Sequence, residues 1–277
     1  MGLFDWLSSG KKEEKEVVSQ KIANFSNFNK VTDFIYKKSG ITDLDKRALT
    51  ASRLQSYAKE EDVYTTDEFL DMMKIDEHFY QEVMNIATIN ESFFLRERKE
   101  LDWLVSYIQE SVKKLEILVL PCSTGEEVYS ILLLLLEKKI PLDKINISGC
   151  DLNSQAVKSA INAEYDEHSL HNIDRLILDK YFVKNEKNLY DIIPIIKDKP
   201  SFYQENIFEI NSSKKKYDIV LSRNMFIYFD DENRVKALNI IVELLHPDGV
   251  YIKGHADHIH KHDKLTNLAY GIYSKQI

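Results

Sequence analysis

Residues 116–127 read Glu-Ile-Leu-Val-Leu-Pro-Cys-Ser-Thr-Gly-Glu-Glu. The apolar run Glu116–Leu120 stops at Pro121, a loop of small residues follows, and helical spacing of apolar residues then extends over Glu126–Lys138. A buried strand that leads into a glycine-containing loop and a helix is typical of an open α/β sheet. This stretch therefore predicts a strand, a loop and a helix in that order.

The same alternation continues toward the carboxyl end of the chain. Strands are expected over Ile145–Cys150, Tyr217–Ser222 and Val250–Gly254, and helices over Ser154–Ala163 and Asp231–Leu245. Strands that alternate with helices favour a mostly parallel sheet covered on both faces. The predicted fold class is α/β, with an all-helical domain followed by a doubly wound Rossmann-like domain.

Residue patterns divide the chain into segments. Residues 1–20 are expected to be a flexible tail, because a few apolar residues pass directly into a Lys/Glu-rich run. Residues 21–88 have helical spacing and are expected to form a helical domain, and residues 89–114 are expected to be a junction that includes a helix. The α/β domain takes residues 115–277. Within it, residues 164–200 fit the alternation poorly and predict a small inserted β-subdomain.

Composition argues against a nucleic-acid-binding protein, a disulfide-stabilised protein and a membrane-spanning protein. The formal net charge is -8, which lowers the expectation of a nucleic-acid partner. The two cysteines, Cys122 and Cys150, give no disulfide framework and suit a reducing compartment. No apolar run approaches the roughly 20 residues of a membrane-spanning helix. We therefore expect a cytoplasmic protein without direct membrane insertion.

Carboxylates follow two of the expected strands. Gly125 would let a ligand approach the backbone closely, but Glu126 and Glu127 stand where a nucleotide site would hold a pyrophosphate. Asp151 follows the next strand, near the spacing of an acid that accepts hydrogen bonds from a ribose. Helix capping alone would also explain these acids. The alternative is a pocket for a cation, which suits an adenosyl sulfonium and does not suit a nucleotide phosphate.

Three further segments carry the remaining signals. They are Thr88–Glu97 (Thr-Ile-Asn-Glu-Ser-Phe-Phe-Leu-Arg-Glu), Leu221–Phe229 (Leu-Ser-Arg-Asn-Met-Phe-Ile-Tyr-Phe) and His246–His255, which contains Pro-Asp-Gly and Gly-His. With the Ser-Thr-Gly-Glu-Glu-Val-Tyr-Ser loop at Ser123–Ser130, they resemble the chemotaxis-receptor glutamate O-methyltransferase family, the CheR type. The resemblance extends from about residue 25 to the end of the chain.

This resemblance implies an enzyme with S-adenosylmethionine as its cofactor and S-adenosylhomocysteine as the product left behind. It implies methyl transfer to glutamate carboxylates on the cytoplasmic helical bundle of methyl-accepting chemotaxis receptors, with residues 115–277 as the cofactor-binding methyltransferase domain. A monomeric protein is expected. No metal ion is expected to take part.

Site residues follow from the resemblance and from the Gly125 loop. Arg96 and Tyr228 are expected to be catalytic, Arg96 by fixing a carboxylate and Tyr228 by orienting the methyl group or the incoming carboxylate. Taken singly, these residues also have structural explanations, such as a surface charge or a core tyrosine. The cofactor-binding residues are expected to be Asn90, Ser92, Arg96, Gly125, Glu126, Asp151, Asn206, Ile207, Arg223 and Asn224.

Alternatives and departures from the family pattern remain. A His-rich segment, His255–His262, invites a metal site, although its spacing matches no recognised zinc pattern. A methyltransferase of the same fold with another substrate, or a signalling module without catalysis, would share these residues. Gly254-His255-Ala256-Asp257 replaces the family's Gly-His-Ser-Glu. The expected receptor-facing helix carries the cations Lys46, Arg47, Arg53 and Lys59, which are fewer than in better-known members.

Overall fold

The amino-terminal part of the protein is helical in the structure, a computed structural model that describes residues 22–42, 44 and 48–276. The expected tail over residues 1–20, and Lys46 and Arg47, lie outside the described residues. The helices are α1 (Asn29–Ser39), α2 (Ala48–Glu60), α3 (Thr66–Ile75), α4 (Glu77–Ala87) and α5 (Arg98–Glu110). The first four share one apolar core, in which aromatic rings of α3 and α4 pack edge to face.

Helix α3 begins at a capping box formed by Thr65 and Glu68. The Thr65 hydroxyl accepts a hydrogen bond from the backbone N–H of Glu68 at 3.2 Å, and the Glu68 carboxylate accepts one from the N–H of Thr65 at 3.0 Å. Two N–H groups that the helix itself leaves unpaired are thereby satisfied.

Replacing Thr65 by alanine is expected to lower the free energy of unfolding by about 1 kcal/mol, because the N–H of Glu68 loses its acceptor. Urea denaturation followed by circular dichroism measures this loss. Thr266→Ala, at an exposed threonine in the carboxyl-terminal part of the chain, is the control. Equal midpoints for the two variants would contradict the capping role.

Strands make up the rest of the frame. They are β1 (Leu115–Val119), β2 (Ile145–Asp151), β3 (Glu164–Tyr165), β4 (Phe182–Lys184), β5 (Tyr190–Ile192), β6 (Ser201–Gln204), β7 (Tyr217–Ser222), β8 (Leu245–Lys253), β9 (Leu265–Ala269) and β10 (Ile272–Lys275). One seven-stranded sheet has the order β6-β2-β1-β7-β8-β10-β9, in which the first five strands are parallel and β10 pairs antiparallel with both β8 and β9.

The strand order reverses beside β1. Ile117 lies opposite Ile147 of β2 on one side and Ile219 of β7 on the other. These strands are buried on both faces, as expected for apolar runs in a parallel sheet. The helices connecting the parallel strands include α6 (Glu126–Glu137), α7 (Ser154–Asn162) and α10 (Asp231–Leu244). The predicted fold class is thus confirmed, with a helical amino-terminal part before a mostly parallel sheet.

The carboxyl-terminal edge of the sheet differs from the expectation. Strand β8 begins at Leu245, five residues before the expected start at Val250, and the hairpin of β9 and β10 follows where the sequence analysis assigns no strand. Strand β9 has exposed polar residues along an edge, so the apolar alternation that reveals a half-buried strand is absent. Gly271, at φ 74°, makes the tight turn between β9 and β10.

A second, three-stranded antiparallel sheet with the order β3-β5-β4 lies between residues 164 and 192. Two short helices accompany it, α8 (Arg175–Tyr181) and α9 (Pro194–Lys197). The exact limits of the helical domain, junction and insert stay predictions. Among the described helices, none combines the length and the apolar composition needed to cross a membrane.

Candidate functional site

A cavity of about 220 Å³ lies where the strand order reverses, over the carboxyl ends of β1, β2 and β7. This is the position at which doubly wound sheets bind ligands. Of the predicted site residues, all except Gly125 and Glu126 line the cavity. They are Asn90, Ser92, Arg96, Asp151, Asn206, Ile207, Arg223, Asn224 and Tyr228.

Gly125 and Glu126 do not line the cavity, and both are buried. A Cβ atom on Gly125, whose φ is 95°, would lie 3.0 Å from Cβ of Ala160 and 3.1 Å from the Tyr165 hydroxyl. The groups that lie close to the Gly125 backbone are therefore side chains of the protein, where the sequence analysis expects a ligand. Glu126 is buried, and its carboxylate accepts a hydrogen bond from the Thr124 hydroxyl at 2.6 Å. Burial raises the pKa of Glu126 above its ordinary value. The acid of this loop that lines the cavity is Glu127.

Glu127 belongs to a buried network centred on Arg223. The Arg223 guanidinium lies 2.8 Å from the Glu127 carboxylate and 3.3 Å from that of Glu97, with its side chain 2% exposed. It also donates to the backbone carbonyl of Arg96. Burial favours a higher pKa for Glu97, but the charge of Arg223 and the hydrogen bonds from Arg223 and the backbone N–H of His255 together outweigh it and hold that pKa below its ordinary value. Arg223 therefore fixes two carboxylates, of which that of Glu127 lines the cavity.

Asp151 holds the loop after β1 against the end of β2. One carboxylate oxygen accepts the N–H of Ser123 at 2.8 Å and the other accepts the N–H of Asn153 at 2.9 Å. Burial raises the pKa of Asp151 to about 6, although these N–H groups oppose the rise. Ser123 has φ 49°, in the left-handed region, so the bond from its N–H helps to fix an unfavourable backbone conformation.

Asn206 and Ile207 form the wall after β6. The Asn206 amide donates to the carbonyl of Lys38 at 2.7 Å, and its oxygen accepts the N–H of Phe208 at 3.1 Å. Both ends of this side chain are thus used to position the backbone and the buried Ile207 side chain beside the cavity. Asn206 lines the cavity as predicted, and its bonds connect the sheet to helix α1.

The two residues expected to be catalytic line the cavity from different segments of the chain. Arg96 donates to the carbonyl of Glu91 at 3.1 Å and lies over the Phe93 ring, and within the described residues no ion pair is recorded for it. Tyr228 is half-buried, and its backbone carbonyl accepts hydrogen bonds from the N–H and hydroxyl of Thr42 at 2.9 and 3.0 Å. The helical part of the chain therefore supports the segment that carries Tyr228.

Sequence reasoning did not assign several residues of the wall to the site, among them Glu127, Ser39 and Ile41. Glu127 had a signal, since it stands in the same motif as Glu126. Ser39 and Ile41 of the helical part also line the cavity, on either side of Gly40. Their position depends on the contacts that the end of α1 makes with the segments after β6 and β7, which local sequence patterns do not encode.

The described residues contain one group of side chains close enough together to hold a metal ion, namely Glu97, Glu100 and His255. These side chains already have partners, because His255 Nε2 lies 2.6 Å from Glu100 and Glu97 pairs with Arg223. In the rest of the His-rich segment, His262 bonds to an asparagine side chain. That no metal takes part stays a prediction.

Carboxylates on the wall of a largely apolar cavity, at the switch point of a doubly wound sheet, define a class of α/β proteins suited to a nucleoside cofactor that carries positive charge. The sequence model of the family described as “CheR methyltransferase, SAM binding domain” matches residues 90–272. The chain belongs to this CheR methyltransferase family, and its cofactor is S-adenosylmethionine.

Individual relatives agree with the family. The chain is 31% identical to a chemotaxis protein methyltransferase of Campylobacter jejuni over 88% of this chain and 91% of the relative. It is 30% identical to chemotaxis protein methyltransferase 2 of Vibrio cholerae over 84% and 85% of the two chains. Among solved structures, the methyltransferase domain of bacterial CtHen1-C is 20% identical, covering 56% of this chain and 64% of that chain, with a TM-score of 0.35, a likeness too weak to bear on function.

Proposed function

We propose that this protein transfers a methyl group from S-adenosylmethionine to glutamate side chains of chemotaxis receptors, forming methyl esters. The names of the relatives support the receptor system as the source of the substrate. The single observation that carries the choice of a carboxylate substrate is the pairing state of the two arginines at the cavity.

Those arginines differ in what they can bind. Arg223 is held by two carboxylates and is 2% exposed, so its charge is already neutralised. Arg96 lines the same cavity. Among the described residues, its guanidinium contacts the backbone carbonyl of Glu91 and the ring of Phe93. A guanidinium with this surrounding is suited to fix an ionised carboxylate through two parallel N–H bonds.

For this methyl transfer the main task of the protein is to align the substrate carboxylate with the methyl group of the cofactor. A glutamate carboxylate with an ordinary pKa near ~4.3 is ionised at neutral pH and needs no general base. S-adenosylmethionine supplies a methyl group on a positively charged sulfur, and the carbon–sulfur bond breaks as the ester bond forms. Arg96 would orient the incoming carboxylate, while Glu127 and Asp151 on the wall suit the cationic groups of the cofactor. The residues present therefore fit this cofactor.

Methyl transfer from tritiated S-adenosylmethionine to receptor-containing membranes tests the proposal. The label is expected in alkali-labile form, released as methanol, because carboxyl esters hydrolyse in base. Receptors whose methylatable glutamates are replaced by alanine should accept no label. Alkali-stable label, or labelling that persists on such receptors, would contradict glutamate esterification and point to another substrate.

Arg96→Met is expected to lower kcat/KM for the receptor about 100-fold, the effect of losing roughly 3 kcal/mol of charged hydrogen bonding. Arg98→Met is the matched control, since Arg98 is exposed and pairs with Asp102 one turn along α5. Calorimetric titration with S-adenosylhomocysteine separates the two possible roles of Arg96. Unchanged product affinity with lost transfer assigns Arg96 to the substrate, and equal activity of the two variants would refute its role.

A further inference from the structure

Asp257 is a buried acid that the proposed reaction does not use. It follows β8 and is 1% exposed. One carboxylate oxygen accepts the backbone N–H of Asn224 at 2.6 Å and that of Gly254 at 3.1 Å, and the other accepts the N–H of Phe226 at 2.9 Å. A carboxylate that receives three N–H groups is satisfied by them and is fixed in position.

The backbone that Asp257 bonds forms part of the cavity wall. Four residues of this segment line the cavity, namely Arg223, Asn224, Met225 and Tyr228. The backbone N–H groups of Asn224 and Phe226, which donate to Asp257, belong to the same segment. Asn224 has φ 60°, in the left-handed region that side chains other than glycine rarely adopt. Such a conformation persists only when surrounding bonds hold it.

Asp257 is itself held from the other side. The ammonium group of Lys253, 9% exposed, donates to the carbonyls of Asp257 at 2.9 Å and of Gly254 at 3.1 Å. The carboxylate thus joins a fixed segment at the end of β8 to the strained segment at the end of β7. Its side chain does not line the cavity, so it acts on any ligand through Asn224 and its neighbours.

We propose that Asp257 is a positioning residue that sets the shape of the cavity wall from Arg223 to Tyr228, and through it the affinity for the cofactor and the rate of methyl transfer. This inference rests on the proposed function in so far as it takes the cavity to be the cofactor site. Asp257 occupies the position of the glutamate in the family's Gly-His-Ser-Glu, so in this chain a side chain one methylene shorter than glutamate holds the backbone of the cavity wall.

Asp257→Asn is the first test. An amide group would present N–H donors to backbone N–H groups, so either the Asn224 and Gly254 bonds or the Phe226 bond must break. The dissociation constant for S-adenosylhomocysteine is expected to rise about tenfold or more, at a stoichiometry that stays near one. Asp263→Asn, at an exposed acid a few residues further on, makes the same change of charge and should bind like the wild type.

Gly254→Ala is a second test that leaves every charge in place. A Cβ atom on Gly254 would lie 2.8 Å from the N atom of Asn224 and 2.9 Å from the Asp257 carboxylate, and so would force the two apart. It is expected to weaken binding in the same direction as Asp257→Asn. This variant carries the test if Asp257→Asn fails to fold.

The outcomes separate positioning from mere stability. A raised dissociation constant in both variants, at unchanged stoichiometry and with a lower kcat, supports the inference. Wild-type affinity in the folded fraction, accompanied only by a lower melting temperature or a lower stoichiometry, overturns it. Failure of the wild type and of Asp263→Asn to bind S-adenosylhomocysteine would instead overturn the cofactor site, and the inference with it.

Discussion

Asp151→Asn is expected to weaken binding of S-adenosylhomocysteine about 100-fold. The amide retains one acceptor oxygen, so either the Ser123 or the Asn153 N–H faces a donor and loses its bond. Hydrogen bonds to a charged group contribute roughly 1.5–3 kcal/mol each, and the charge itself disappears from the cavity wall, so a loss of about 3 kcal/mol follows. The left-handed Ser123 backbone would then no longer be held beside the ligand.

Calorimetric titration measures this loss, with Asp143→Asn as the control. Asp143 is exposed and precedes β2, at the opposite end of the strand that Asp151 terminates, so its replacement alters charge without touching the cavity. Affinities within threefold for the two variants would show that Asp151 does not support the site.

The pH dependence of binding provides a further readout of the same residue. The pKa of Asp151 is raised by burial from 3.8 to about 6, so wild-type affinity is expected to fall as the pH drops through about 6. Stability changes in the opposite direction. From about pH 4 to 6 the folded protein keeps a proton that the unfolded chain has lost, so the Asp151 contribution to stability decreases as pH rises. Comparing the pH dependence of the wild type with that of Asp151→Asn isolates the contribution of Asp151. Without this comparison it would overlap with that of Asp257, whose pKa burial also raises to about 6.

Arg223→Met is expected to lower the free energy of unfolding by about 3–5 kcal/mol. Methionine fills much of the same volume but leaves the carboxylates of Glu97 and Glu127, each 13% exposed, without their cation. Uncompensated buried charge, rather than the loss of attraction alone, accounts for a cost of this size. Chemical denaturation at pH 7 measures it.

The control for Arg223→Met is Arg98→Met, which removes an exposed ion pair within α5. That pair lies in water, so its loss is expected to cost less than about 1 kcal/mol. Adding Glu127→Gln to Arg223→Met should recover part of the stability, because one of the two unpaired charges is removed. Equal stability of Arg223→Met and Arg98→Met would contradict the account of the network.

The sequence predicts the central strands well because their signal is local. Strand β7 has the expected limits, Tyr217–Ser222, since the apolar residues Ile219–Leu221 at the centre of this buried strand give it a strong local signal. The hairpin of β9 and β10 has no such signal. It is an edge whose residues are mostly exposed or half-buried, and its pairing with β8 depends on the tertiary structure.

The choice between Glu126 and Glu127 shows a similar limit within the site. Neighbouring residues on a helix point in directions about 100° apart, so only one of two adjacent acids can face a given cavity. Which one does so depends on the rotation of α6, which is set by its buried apolar residues and by the φ of 95° at Gly125. The motif locates the acids in the chain but does not give that rotation.

The cavity has walls from two parts of the chain that are separate in sequence. Ser39 and Ile41 face it from the helical part, and Thr42 and Asn206 make hydrogen bonds across the boundary between the helices and the sheet. We therefore expect cofactor binding and docking of the helices to be linked equilibria, each strengthening the other by the same coupling free energy. The cofactor would then act as a bridge that joins the helical part and the sheet more firmly than their direct contacts alone.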